Sequence, residues 1–171
     1  FMEQDKALLD VLGKEKVQAI YFFKANGGKD QEDKPIYNLY SKNIQLLLQQ
    51  CKSSHATIGL HSSYEAGKHP LLITEEKKEL EKATKELIKY NRHHFLSIRE
   101  PEDYDILEKA EITDDFTMGY ADVAGFRLGT CRPVRWISPK TKQLSPLILH
   151  PLTIMECSLS EPNYMNLKYE E

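Results

Sequence analysis

Histidines are the residues of this 171-residue chain best suited to proton transfer or metal binding, and there are six of them. His61 closes the run Ile58-Gly59-Leu60 and precedes Ser62 and Ser63. At the end of a buried strand such a histidine opens onto the mouth of a fold, where it can take a metal or a substrate. A loop histidine bonded to nearby backbone carries the same local sequence. Gly59 allows close approach of backbone or ligand. His93 and His94 are adjacent, so on a strand they point to opposite faces and at most one looks into a central pocket. His150 lies within Leu147-Ile148-Leu149 and Pro151-Leu152, the setting of a structural histidine. No HxxxH or HExxH pair sits on one element, so any metal needs ligands converging from different strands. A GxSxG elbow, a P-loop and GxGxxG are also missing, which removes the commonest hydrolase and nucleotide sites.

Asp122, Gly125, Phe126 and Arg127 share a glycine-spaced segment. An arginine held there can orient a carboxylate through a two-pronged contact; the same segment also reads as a surface loop with a solvated arginine. Tyr64, Tyr120 and Trp136 could offer flat faces to a sugar ring, or serve as packing residues. Cys51, Cys131 and Cys157 are odd in number and far apart, with no CxxC. They read as reduced thiols, buried or half buried, rather than a zinc knuckle or disulfide framework. Together with a start that is no signal peptide, they favour a cytoplasmic setting.

The elements that must position these residues alternate. Residues 3–12 form a short amphipathic helix and 17–23 an apolar, β-branched and aromatic run of the kind buried on both faces of a parallel sheet. A polar loop with Gly27-Gly28 follows. A helix spans about 38–51 and a strand 56–61. Residues 62–73 read as loop, with Thr74 as the cap of a helix whose stripe is Leu80, Ala83, Thr84, Leu87 and Ile88. The lysines and glutamates between them form a solvated face. His93-His94-Phe95-Leu96 reads as a third strand, 101–109 as a helix opened by Pro101, and 115–118 as a fourth strand. Residues 133–137 are strand-like, 138–146 a turn, and 147–155 a last apolar run. Four β–α steps in a row predict a parallel sheet wrapped by helices, either doubly wound or part of a β/α barrel. In both, function gathers at the C-terminal edge of the strands.

Three segments then agree in order and spacing with a known pattern: Ile58-Gly59-Leu60-His61-Ser62-Ser63-Tyr64, Arg92-His93-His94-Phe95-Leu96, and Met118-Gly119-Tyr120-Ala121-Asp122 through Gly125-Phe126-Arg127-Leu128-Gly129-Thr130. In these the chain resembles a bacterial branch of the polysaccharide deacetylase (NodB-like) family, over nearly its whole length. The resemblance implies a distorted β/α barrel that hydrolyses acetyl groups from carbohydrate with a divalent metal, most often zinc, held by an Asp and two His. Carried over by position, His61 matches the first histidine of the family's His-Ser/Thr-x-x-x-His motif. Glu65 stands where the second belongs, so either Glu65 ligates, or another strand supplies the ligand, with His94 the candidate and His93 the alternative, or the site binds no metal. Arg127 resembles the arginine that orients the catalytic Asp, while Tyr64, Tyr120 and Asp122 fall where substrate would be met.

The family's Asp-bearing strand belongs before residue 1, and the strand with its catalytic histidine after residue 171. The expectation is therefore one domain over 1–171, an α/β barrel incomplete at both ends and completed by flanking segments of the same protein. A non-catalytic carbohydrate-binding or structural module that keeps the fold is the alternative. Net charge is −3, from 23 basic and 26 acidic residues, without a basic block; a nucleic-acid surface is not expected. No apolar run approaches the roughly 18–20 residues of a membrane span.

Overall fold

The computed structural model describes residues 2–25 and 30–168, with side chains from residue 6 onward. Gly27 and Gly28 lie outside the described residues. The first helix, α1 (Met2–Lys14), leads into β1 (Ile20–Phe23). A single turn of 3-10 helix at Gln31–Asp33 precedes α2 (Lys42–Ser53) and β2 (Thr57–Ser62). Two helices, α3 (Tyr64–Lys68) and α4 (Leu72–Thr84), lead to β3 (Tyr90–His93). Then come α5 (Glu102–Lys109), β4 (Asp114–Asp115), β5 (Val134–Ile137), β6 (Leu144–Leu149) and α6 (Glu156–Ser160).

The six strands form one sheet in the order β1-β2-β3-β4-β6-β5. All neighbours are parallel except β5 and β6. From β1 to β4 each new strand is added on the same side of the last, so right-handed crossovers put the connecting helices on one face. Beyond β4 the order steps back once, β6 lying between β4 and β5 as the inner strand of an antiparallel pair. Burial agrees. Phe23, Ile58, Leu60, Ser62, Asn91, His93, Asp115, Leu147 and Leu149 alternate along their strands and are buried. Their apolar members join a core cluster with Leu48 and Cys51 of α2, Ile73, Leu80 and Ala83 of α4, and Tyr104 and Leu107 of α5.

The opposite face is only half covered. Ile20, Phe22, His61, Tyr90, Arg92, Asp114, Phe116, Ile148 and His150 are all partly accessible. Aromatic rings line it: Phe116 lies 5.6 Å from Phe22, 5.4 Å from Tyr90 and 4.2 Å from His150, the last pair stacked. Gly59 makes this possible, since a β-carbon there would meet the Phe22 ring at 2.7 Å and the Tyr90 Cβ at 3.2 Å. With no side chain at 59, Phe22 crosses β2 toward β4.

Several boundaries differ from the sequence reading. The expected loop 62–73 contains α3, capped by Ser63, whose hydroxyl accepts the Ala66 N–H. The next helix begins at Leu72 rather than after Thr74, and ends at Thr84 because Lys85 turns left-handed (φ 59°). Leu87 is therefore exposed, while Ile88 re-enters the core ahead of β3. Glu76 and Lys77 are buried, Glu76 against the Ser63 loop and Lys77 against Glu81. The third strand is displaced to 90–93; residues 94–96 form a 3-10 turn in which Phe95 and Leu96 have positive φ. Pro146, expected in a turn, lies within β6 at the register shift between β5 and β6, a bulge of the kind that admits proline. Cys131 is exposed rather than half buried. No helix among the described residues is long and apolar enough to cross a membrane.

Replacing Gly59 by Ala should destabilise the fold by about 1–3 kcal/mol through overpacking and displace the Phe22 ring. Urea unfolding checks the first effect and aromatic ring-current shifts the second; an unchanged midpoint would contradict this account of the aromatic face.

Candidate functional site

The parallel register sets the site. His61 pairs with Arg92 across β2 and β3. The rungs continue through the Phe116 N–H to the Asn91 carbonyl and the His150 N–H to the Asp115 carbonyl. His61, Arg92, Phe116 and His150 thus form one row on the half-covered face, at the C-terminal edge of the sheet. Beside His61 and Arg92 opens a cavity of about 900 Å³, walled by Leu8 and Leu12 of α1, Ile20 and Phe22 of β1, and Met155 and Tyr164 of the C-terminal segment.

His94 reaches this cavity because the chain turns at the end of β3. Its Nδ1 lies 3.0 Å from His61 Nε2, with the rings edge to face at 4.9 Å. The outer nitrogens meet backbone carbonyls: His61 Nδ1 is 2.8 Å from the Arg92 oxygen, and His94 Nε2 is 2.9 Å from the Glu32 oxygen. A carbonyl only accepts, so these partners assign the hydrogens to His61 Nδ1 and His94 Nε2. In neutral rings the inner nitrogens then present lone pairs to one another. Burial opposes the protonated form and pushes His61 down to about 4; His94 is lowered by the same cause. Lys24 adds repulsion at both rings. Two converging imidazole lone pairs, each ring oriented by a carbonyl, form the arrangement in which histidines hold metal ions.

The cations around the pair are uncompensated. Arg92 donates to the Met155 sulfur at 3.1 Å and forms no ion pair among the described residues; burial lowers its pKa. The Lys24 ammonium bonds the Asp33 carbonyl at 2.5 Å. Beneath the row lies a buried polar network. Ser62 donates to the Asn91 side-chain oxygen at 2.5 Å, and the Asn91 amide donates to Asp115 at 2.8 Å and to His93 Nδ1 at 3.0 Å. Asp115 also accepts the Thr117 N–H and hydroxyl, yet burial holds its carboxyl up at about 6. The Asn91 donor places the His93 hydrogen on Nε2, which has no partner among the described residues. Burial drives His93 down to about 3.

The structure thus brings together His61 and His94, with His93 beneath them. The other sequence candidates stand apart. Arg127 contacts the Gly119 carbonyl and Glu100, each at 3.4 Å, and does not line the cavity. Tyr64 meets the Phe95 ring, with the Lys68 ammonium 4.6 Å over its face. Tyr120 and Asp122 are exposed, and neither they nor Glu65 line the cavity. Trp136 packs on Tyr104. Sequence reasoning passed over Arg92, whose signal was its place one rung across from His61. It also passed over Asp114, which accepts from His150 Nε2 at 2.7 Å. Comparison with protein-family models, with curated proteins and with solved structures found no match.

Glu76 fixes the loop after His61. One carboxylate oxygen accepts the Ser63 N–H at 3.0 Å and the other the Ser63 hydroxyl. Burial raises its carboxyl from 4.5 to about 7. The native state therefore holds this proton to higher pH than the unfolded chain, and stability is lost as pH rises through that window. The stability advantage of wild type over Glu76→Gln should shrink by about 3 kcal/mol between pH 4 and 8. Urea midpoints at both pH values check this; a constant or growing difference would refute it.

Proposed function

We propose that the chain is a polysaccharide deacetylase-like domain that brings His61 and His94 to a divalent metal in a site for hydrolysis of acetyl amides or esters on carbohydrate. One observation carries the reading: His61 Nε2 and His94 Nδ1 face each other at 3.0 Å while each ring's other nitrogen is tied to a carbonyl. Two facing lone pairs at that separation are satisfied either by a proton or by a metal ion set beside both nitrogens, and imidazole donors suit zinc. A zinc ion would polarise an acetyl carbonyl and acidify water.

Two imidazoles do not complete such a centre. Among the described residues no group of three or more His, Cys, Asp or Glu is placed to hold an ion. The remaining ligand and the proton-transfer groups therefore come from elsewhere, in keeping with the motif order. Arg92, beside His61 and with no ion pair among the described residues, suits the role of holding an incoming carboxylate better than Arg127. The one-directional winding of β1 to β4 and the half-covered aromatic face suit a β/α barrel. The aromatic face also favours a second reading, a sugar-binding module without catalysis; metal binding separates the two.

Cobalt(II) titration, followed by the visible absorption of a nitrogen-ligated ion, tests the reading. Wild type should bind, and His61→Ala and His94→Ala should each weaken binding by more than about 10-fold, the loss that outer-shell changes alone can cause. Equal affinity in all three would refute the site. Residues 1–171 alone should release no acetate from acetylated sugar oligomers above a metal-free control, and measurable release would contradict the incomplete centre.

A further inference from the structure

Both imidazoles are set by one short turn that lies far from them in sequence. The 3-10 turn Gln31–Asp33 touches three strand ends at once. Its Asp33 carboxylate is fully buried and accepts the N–H of Tyr64 at 2.7 Å on one oxygen and that of Glu65 at 3.1 Å on the other. These are the residues next after Ser62-Ser63, so the bonds fix the chain leaving His61. The Asp33 carbonyl takes the Lys24 ammonium at the end of β1. The preceding carbonyl, that of Glu32, is the acceptor that assigns the His94 hydrogen to Nε2 and so directs Nδ1 at His61.

No apolar packing explains this arrangement. A carboxylate with no accessible surface is costly unless its oxygens are satisfied, and here the compensation comes from the loop that carries His61. We propose that Asp33 is a positioning residue for the histidine pair: its carboxylate clamps the turn onto the His61 loop, and the clamped turn presents the Glu32 carbonyl that orients His94. Asp33 touches neither imidazole.

This rests on the metal reading for its purpose but not for its geometry, and the test separates the two. The proteins compared are wild type, Asp33→Ala, Asp33→Asn and Asp103→Asn. Asp103 is an equally buried carboxylate that accepts from the Arg99 backbone and side chain, away from the cavity. The first readout is the imidazole nitrogen-15 spectrum of the metal-free protein at pH 8. Wild type and Asp103→Asn should show His94 with its hydrogen on Nε2. Asp33→Ala should shift His94 toward a mixture of tautomers, and Asp33→Asn, which keeps one acceptor, should shift it less. The second readout is cobalt(II) affinity, expected to fall 10- to 100-fold in Asp33→Ala and to hold in Asp103→Asn.

An unchanged His94 tautomer in the Asp33 variants overturns the proposal. So does an affinity loss of the same size in Asp103→Asn, because that marks general destabilisation. If wild type binds no cobalt, the metal reading fails and the tautomer shift alone decides the positioning role. Should Asp33→Ala not fold, Asp33→Asn carries both readouts.

Discussion

The winding of the sheet is the constraint on which the rest depends. Because β1 to β4 are laid down in one direction with parallel register, every crossover helix falls on the same face. One face is closed by α2, α4 and α5. The other keeps its side chains half open, and the register delivers His61, Arg92, Phe116 and His150 along a single row at the C-terminal edge. Had the order reversed midway, helices would cover both faces and these residues would be core. Polar side chains on the closed face must find partners within the fold, as Ser62, Asn91, Asp115 and Thr117 do. Those on the open face remain available.

The electrostatics of that row are lopsided. Lys24 and Arg92 flank the histidines, and neither meets a carboxylate among the described residues. Burial depresses the imidazoles, so they meet their surroundings as neutral donors of lone pairs. The nearest bound carboxylates are engaged: Asp114 by His150 and Thr113, Asp33 by the backbone after His61. Such a site favours an occupant that brings negative charge with it.

Much of this architecture could be read from the chain. The β–α alternation, a first helix read over 3–12 and found at Met2–Lys14, a strand read over 56–61 and found at Thr57–Ser62, and the Pro101-led helix follow from hydrophobic period and capping. The place of His61 beside the cavity was legible because a histidine that closes an apolar run stands at a strand end. His94 was reached only through family resemblance; on a regular strand it would point away from its neighbour's face, and it is the turn at 94–96 that brings it round. That turn needs positive φ at Phe95 and Leu96, which no local residue type announces. Arg92 and Asp33 were illegible for another reason. Their roles arise from pairing across 31 residues in each case, His61 to Arg92 and Asp33 to Tyr64, and periodicity carries no information about such pairs. The burial of Glu76 was illegible because its partner, the Ser63 loop, lies 13 residues earlier in the chain.

The central claim is that two imidazoles converge on one ion. X-ray absorption at the zinc edge of the zinc-loaded protein addresses it directly. The account predicts two imidazole nitrogens at about 2.0–2.1 Å in the first shell, falling to one when either His61 or His94 is replaced by Ala. A shell of oxygen ligands alone, or a spectrum unchanged by both replacements, would contradict it.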